Sequence, residues 1–442
     1  MPDSIVRRVR YVTIVLLLSL FGGGIGSVAH AQMSSLNTFS PYTMYGIGDL
    51  AVGGSAFNRP MGGVGVALRT PYRFNYLNPA AISAIPRQSA LFNFAGEGKN
   101  FYAKNATTST SYNTFDIHDL GLAVPLGKGV GLGFSLTPVS SVGYTSRMVE
   151  HSADITQNIG STVYNYAGDG GITQVSMSLG VNVVKGLSLG ATMHYWFGDI
   201  ERQYNVVMND YTSSTVYRNI VSTENRNISK LLFTLGAQYT CRIGKQNALI
   251  LGLTYQPEVT ATVRDNRLTL SHNSVMVDTI YSSGTVRTKM DIPAKWAAGI
   301  SFQTPKLTLA FDYNRQDWAG AFEIPAGQEM SLGVYQDFRL GFSYTPDQFD
   351  IRNALKRWTY KAGVRYGESY LTMRGHRLRD AAVSVGVDFA LKRGTFSKVG
   401  VGIEYGERGS WAKNMVHERY FNFTVALSLF GNDYWFVRPK YN

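Results

Sequence analysis

The strongest constraint on this chain is a side-chain alternation of period two that recurs along most of its length. In a β-strand, successive side chains point to opposite faces. In Val399–Glu407, Val399, Val401, Ile403 and Tyr405 share one face, and Gly400, Gly402, Glu404 and Gly406 share the other. Leu187 to Gly198 sets Leu189, Ala191, Met193, Tyr195 and Phe197 against Ser188, Gly190, Thr192, His194 and Trp196. Val383, Val385, Val387 and Phe389 oppose Ser384, Gly386 and Asp388, and Phe421, Phe423, Val425, Leu427 and Leu429 oppose Asn422, Thr424, Ala426 and Ser428. Fourteen such segments centre near residues 88–97, 113–124, 128–138, 171–183, 186–202, 226–241, 246–264, 286–303, 306–318, 333–345, 358–369, 379–391, 396–408 and 418–430. Long strands with one apolar face and one small or polar face are the pattern of a membrane β-barrel, which meets lipid outside and a polar lumen inside.

The connections support the same architecture. Short links at Pro125–Gly127, Val184–Lys185, Arg242–Lys245, Thr304–Pro305 and Lys392–Thr395 alternate with long ones at 98–112, 139–170, 203–225, 265–285 and 319–332. Outer-membrane barrels have short periplasmic turns and longer external loops. An even number of strands then places both termini in the periplasm. The link 346–357 is long for its side, and its sequence suits a short surface helix. A chain of 442 residues would ordinarily divide into two or three domains, but a barrel grows by adding strands. A soluble β-sandwich also alternates. The strand lengths and the aromatic load of 27 Tyr and 23 Phe favour the barrel. Aromatic residues gather near strand ends, at Tyr195-Trp196-Phe197, at Tyr366 with Tyr370, and at Trp318, where an interfacial girdle is expected.

The first residues read as an export signal. Arg7, Arg8 and Arg10 precede an apolar run from Val12 to Phe21, and Ala29-His30-Ala31 fits small-x-small cleavage. Residues 1–31 are therefore expected to be removed, leaving Gln32 first. Beyond them no apolar run approaches the ~18–20 residues of a membrane helix, so a membrane-embedded mature chain must cross as a barrel. Removing three Arg and one Asp takes the formal charge from +12 to +10. Export argues against nucleic acid as the partner of this charge, and outer-membrane lipids, with the phosphates of lipopolysaccharide, fit it better. The single Cys241 can form no internal disulfide. No cofactor is expected. The seven His are scattered without metal-ligand spacing. No catalytic arrangement is evident, because His194 has only Ser188 and Thr192 of its own strand on its face. Gly131 and Gly133 lack the strand-to-helix turn of a phosphate loop.

Residues 32–87 do not alternate. They are rich in Gly, including Gly62, Gly63 and Gly65, yet Phe39, Tyr42, Tyr45, Phe57, Met61, Val64, Phe74 and Leu77 make them too apolar for a disordered tail. This composition suits a compact plug inside the lumen, with the barrel over 88–442. Within it, Met61-Gly-Gly-Val-Gly-Val-Ala67 followed by Asn75-Tyr-Leu-Asn-Pro-Ala-Ala-Ile-Ser83 resembles the N-terminal hatch of the FadL-type outer-membrane transporters of hydrophobic compounds. Weaker similarity extends to Ile292-Pro-Ala-Lys-Trp296 and to Asp312-Tyr313 followed by Trp318. Ser40 to Asp49 resembles the mature start of many outer-membrane proteins of the Bacteroidota.

The resemblance implies a hatch built on Gly62, Gly63, Gly65, Asn78, Pro79 and Ala80, and passive uptake of a hydrophobic, fatty-acid-like ligand. It also implies a kinked third strand that opens the wall sideways. Pro138 ends the third segment here and cannot donate to a ladder. It marks either that opening or simply the strand's outer end. The family also contains non-transporting subunits, such as a PorV-like component of an outer-membrane secretion system, and a subunit of a secretion or assembly complex, with outer-membrane protein partners, is the second reading. The plug argues against an open porin. The alternation further assigns Asp312, Arg339, Lys361, Arg365, Asp388 and Glu404 to the lumen, on five consecutive segments. They are available either to a ligand carboxylate or to one another and the plug, since buried charges need partners.

Overall fold

A computed structural model of the chain describes residues 38–87, 89–105, 109–209, 218–273, 276–322, 324, 330–391, 396–409 and 415–431. The leader, its cleavage site, Gln32 and the link 392–395 lie outside these residues. The strands are β1 (Asp49–Leu50), β2 (Ala90–Lys104), β3 (Ser109–Gly127), β4 (Val130–Val149), β5 (Ser161–Val184), β6 (Leu187–Asn209), β7 (Asn219–Ile243), β8 (Asn247–Gln256), β9 (Val259–His272), β10 (Val277–Ile292), β11 (Lys295–Gln303), β12 (Leu307–Asp317), β13 (Met330–Leu332), β14 (Val334–Tyr344), β15 (Thr359–Met373), β16 (His376–Ala390), β17 (Lys398–Gly409) and β18 (His417–Gly431). Consecutive strands pair antiparallel, and β18 closes on β2 from Gly431↔Ala90 to His417↔Lys104. β8 with β9 and β10 with β11 each form one interrupted wall strand, β13 precedes β14, and β1 lies inside. The wall therefore has fourteen strands, the number expected from the alternation.

Near the short-turn end the faces follow the sequence pattern. Leu231, Phe233 and Leu235 of β7, Phe338, Leu340 and Phe342 of β14, and Phe421, Phe423 and Val425 of β18 are exposed. The inward-facing Gly236, Arg339, Gly341, Asn422 and Thr424 between or beside them are small or polar, and the three polar ones are buried. This inside-out order is what a lipid-facing wall requires. Tyr255 and Trp296 pack together outside at 4.0 Å between ring centroids, where the outward face turns polar, as an interfacial girdle would.

The strands run further past this belt than the alternation suggests. β7 begins at Asn219 and β10 at Val277, not near 226 and 286, and much of the expected long connections is strand. The reason is that the pattern inverts. Ala261 and Val263 of β9, and Met290 and Ile292 of β10, point inward into a large apolar cluster. Arg264, Arg287 and Lys289 point outward and are exposed. The phase slips by one residue at Pro257-Glu258 and again at Pro293-Ala294, and a one-residue slip turns every later side chain to the other face. The expected continuous strands 246–264 and 286–303 are thus each broken at a proline, which cannot donate to the ladder. Trp196, Trp318 and Tyr370, expected in the outer girdle, are buried in the inner cluster, where Trp318 packs 5.2 Å from Tyr370. Two short helices cap connections: α1 (Ala153–Ile159), and α2 (Ala354–Arg357) in the link 346–357, where a helix is expected.

Candidate functional site

Residues 38–87 occupy the interior of the ring. They fold into three 3-10 turns, Pro41–Met44, Ala56–Met61 and Pro79–Ala84. The sequence sets their limits. Ser40, Ser55 and Asn78 are N-caps whose side chains accept from the backbone N–H two residues on. Pro79 occupies the first helical position, where no N–H is needed. Gly62 ends the second turn in the left-handed region at φ 68°, where a Cβ would be costly.

The wall is shaped to this inner segment. A Cβ placed on Gly363 would collide with the backbone of Gly62, one on Gly190 with Pro79 and Ala80, and one on Gly252 with Val66. At these three inward glycines two backbones approach too closely for any side chain. Hydrogen bonds add to these contacts. Gly62 N donates to Ser384 Oγ at 3.0 Å, and Gly65 N and Val66 N donate to Asp312 Oδ2 at 2.6 and 2.9 Å. Asn78 Nδ2 donates to Val66 O at 2.9 Å and to Ala237 O of β7 at 3.1 Å.

The six inward charges are buried, and each has partners in the wall or the inner segment. Arg339 donates to Gly63 O at 2.9 Å and pairs with Asp337 at 2.6 Å. Lys361 donates to Phe57 O at 2.8 Å and pairs with Asp388 at 2.6 Å. Arg365 bridges Asp380 at 2.9 Å and Glu404 at 3.3 Å. The plug-and-partner reading of these charges therefore describes the geometry. Sequence reasoning names Asp388 and Glu404 as partners and misses Asp337, Asp380, Arg59 and Arg73. Asp337 shares the parity of Arg339 two residues away and was legible. Asp380 lies inside the expected segment 379–391 on the parity of Ser384 and Asp388 and was equally legible, whereas Arg59, which pairs with Glu97 at 3.1 Å, and Arg73, which pairs with Asp388 at 3.2 Å, lie in an irregular segment with no phase to read. His194 bonds Ser176 Oγ at 2.7 Å and Thr234 Oγ1 at 3.0 Å, both neutral hydroxyls on adjacent strands.

The wall has one discontinuity that bears on Pro138. β3 and β4 pair only between Leu120↔Leu136 and Gly127↔Val130. Beyond that point the described residues of β3 pair with β2 alone, and those of β4 pair with β5. A bulge interrupts β4 between Pro138 and Ser140. The inner segment takes the vacated edge of β4. β1 pairs as Asp49↔Ser141 and Leu50↔Ser140, Ala51 N donates to Val139 O at 2.8 Å, and Ser40 N donates to Gly143 O at 2.8 Å. Arg408 of β17, pairing with Asp49 at 2.6 Å and with Glu418 of β18 at 2.7 Å, ties this edge piece to the wall on the other side of the gap.

Comparison with known proteins agrees with this geometry. The sequence profile of the BamG family matches residues 10–442. No curated protein matches the chain. Among solved structures, a Pseudomonas aeruginosa FadL homologue superposes with a TM-score of 0.58 at 12% identity, over 88% of this chain and 100% of the other. The Ralstonia pickettii toluene transporter TbuX gives 0.54 at 14% identity, over 85% and 97%. The monoaromatic hydrocarbon channel CymD gives 0.53 at 14% identity, over 87% and 99%. At these identities the likeness establishes a shared fold, that of the FadL-type outer-membrane barrels.

Proposed function

From the premise that this chain belongs to the BamG family, and shares its fold with hydrocarbon channels, we propose that it is a bacterial outer-membrane conduit for small hydrophobic molecules that leave sideways, between β3 and β4. The observation that carries this reading is the interrupted ladder beyond Leu120↔Leu136, where the inner segment, not the neighbouring strand, covers the edge of β4. A wall strand held by a continuous ladder must break many hydrogen bonds to open. A two-residue pairing with β1 and a few flanking bonds is a much smaller barrier. The short turns face the periplasm in this reading, and the inner segment acts as the gate.

The test locks the gate. In a Cys241→Ser background, Leu50→Cys with Ser140→Cys places two thiols at a directly opposed pair, within disulfide reach. Uptake of radiolabelled oleate and of toluene by cells expressing the protein is expected to fall to the level of cells without it, and to return on reduction. Undiminished uptake by the cross-linked protein would overturn the lateral route.

A second reading has its own observation. All six inward charges are committed to the wall and the inner segment, which suits a permanently closed barrel serving as a subunit of an outer-membrane secretion or assembly complex. Native mass spectrometry of gently extracted protein separates the two readings. A stoichiometric protein partner, together with uptake that never exceeds background, favours the subunit.

A further inference from the structure

Near the short-turn end, away from the β3–β4 gap, the inner segment leaves a cavity of about 260 Å³ against β12, β14, β15 and β17. Its charge is unbalanced. Arg73, Lys361 and Lys398 face it, and Lys306 stands on its lining beside Pro305. Lys361 and Arg73 converge on the one carboxylate of Asp388, at 2.6 and 3.2 Å. Lys398 is as buried as many core residues, at 9% exposure. Among the described residues its Nζ bonds a neutral hydroxyl, Thr359 Oγ1, at 2.8 Å. Among the described residues, no acidic side chain lines the cavity. Three cations gathered around one acid, two of the three deeply buried, leave positive charge that burial makes expensive unless an anion compensates it. The π-face of Phe57, 5.2 Å from both Arg73 and Lys361, offsets part of this cost and no more.

We infer that this cavity is a binding site for a small amphipathic anion, a carboxylate or phosphate monoester carrying a compact apolar body. The charged end belongs at Lys398 and Arg73, and the apolar body against Leu68, Met61 and Phe74, which line the same space. At about 260 Å³ the enclosed space suits a compact ligand, just below the range of about 300–1,000 Å³ typical of pockets for larger ones. The site does not depend on the lateral route and would serve a conduit and a complex subunit alike.

Isothermal titration of the full-length protein in a zwitterionic detergent tests it with three probes. Phenyl phosphate offers charge and apolar body, inorganic phosphate offers charge alone, and benzyl alcohol offers the body alone. One-to-one binding of phenyl phosphate, tighter than inorganic phosphate, with no binding of benzyl alcohol, is the expected result. Lys398→Met should weaken phenyl phosphate about tenfold or more, the loss expected for a charge-assisted hydrogen bond. Lys398→Arg should retain most of the affinity, and heat-modifiable migration on gels checks that both variants fold. The inference is overturned if phenyl phosphate does not bind at millimolar concentration, if benzyl alcohol binds as well as the anion, or if Lys398→Met binds like the parent protein. Inorganic phosphate binding equal to phenyl phosphate would also overturn it, by reducing the site to a general anion patch.

Discussion

The two halves of this barrel wear opposite faces. Near the short turns the outward side chains are apolar and the inward ones are glycine, hydroxyl or charge, packed against the inner segment. Toward the long connections the inward side chains are Ile172, Trp196, Ile228, Leu232, Val263, Ile292 and Trp318, all buried in one cluster, while Arg264, Arg287 and Lys289 face outward. One half is organised for lipid outside and the other for water outside. The same strands serve both: β8–β9 and β10–β11 change sense with single-residue slips at Pro257-Glu258 and Pro293-Ala294, whereas on β6 and β7 the inward phase is kept and its residues turn from small or polar to apolar.

The halves should therefore fail for different reasons. The largest effect is expected in the charged half, inside. Asp388→Asn removes the carboxylate that Lys361 and Arg73 share, and breaking one side of a buried ion pair costs about 3–5 kcal/mol. Denaturant unfolding in detergent should register this, with little recovery from added salt because Lys361 and Asp388 themselves are buried. A change below about 1 kcal/mol would mean that water or an anion already compensates these cations.

A smaller effect is expected on the outer face of the same half. Leu340 is exposed on β14 between Phe338 and Phe342. Leu340→Arg should cost about 2–4 kcal/mol if this face lies at the bilayer midplane, and close to nothing if it meets water. Folding into lipid vesicles, measured against the parent protein, decides between them.

These contrasts also explain how much of the molecule was legible in its sequence. Strand number, closure and the inward charges Asp312 to Glu404 followed from alternation, because in the lipid-facing half the two faces differ sharply in chemistry. The far half was misread where an unchanged phase was extrapolated across a proline. The segments 246–264 and 286–303 were read as continuous, and the starts of β7 and β10 were set late. The prolines themselves were the available signal. What no period could supply is the meeting of residues hundreds of positions apart, such as Lys361 with Phe57, or Gly65 with Asp312. The inner segment that makes these contacts is irregular, and its N–H groups are satisfied by the wall, not by a repeating ladder.

The smallest effect probes the water-facing side of the far half, and its sign is the informative part. Arg287 of β10 lies directly opposite Arg264 of β9, and both are exposed. Like charges facing each other across a ladder are destabilising, and an opposite pair is favourable by about 0.2–1 kcal/mol. Arg287→Glu should therefore stabilise the protein slightly in neutral detergent. The gain should shrink as ionic strength rises past about 0.1 M, where the screening length falls to about 10 Å. In vesicles containing lipopolysaccharide the sign should reverse. There the two arginines have phosphates to meet, and a carboxylate in their place would be repelled. Stabilisation that persists unchanged in such vesicles would mean that this face stands clear of the lipid headgroups, and that the water-facing half projects beyond the membrane surface.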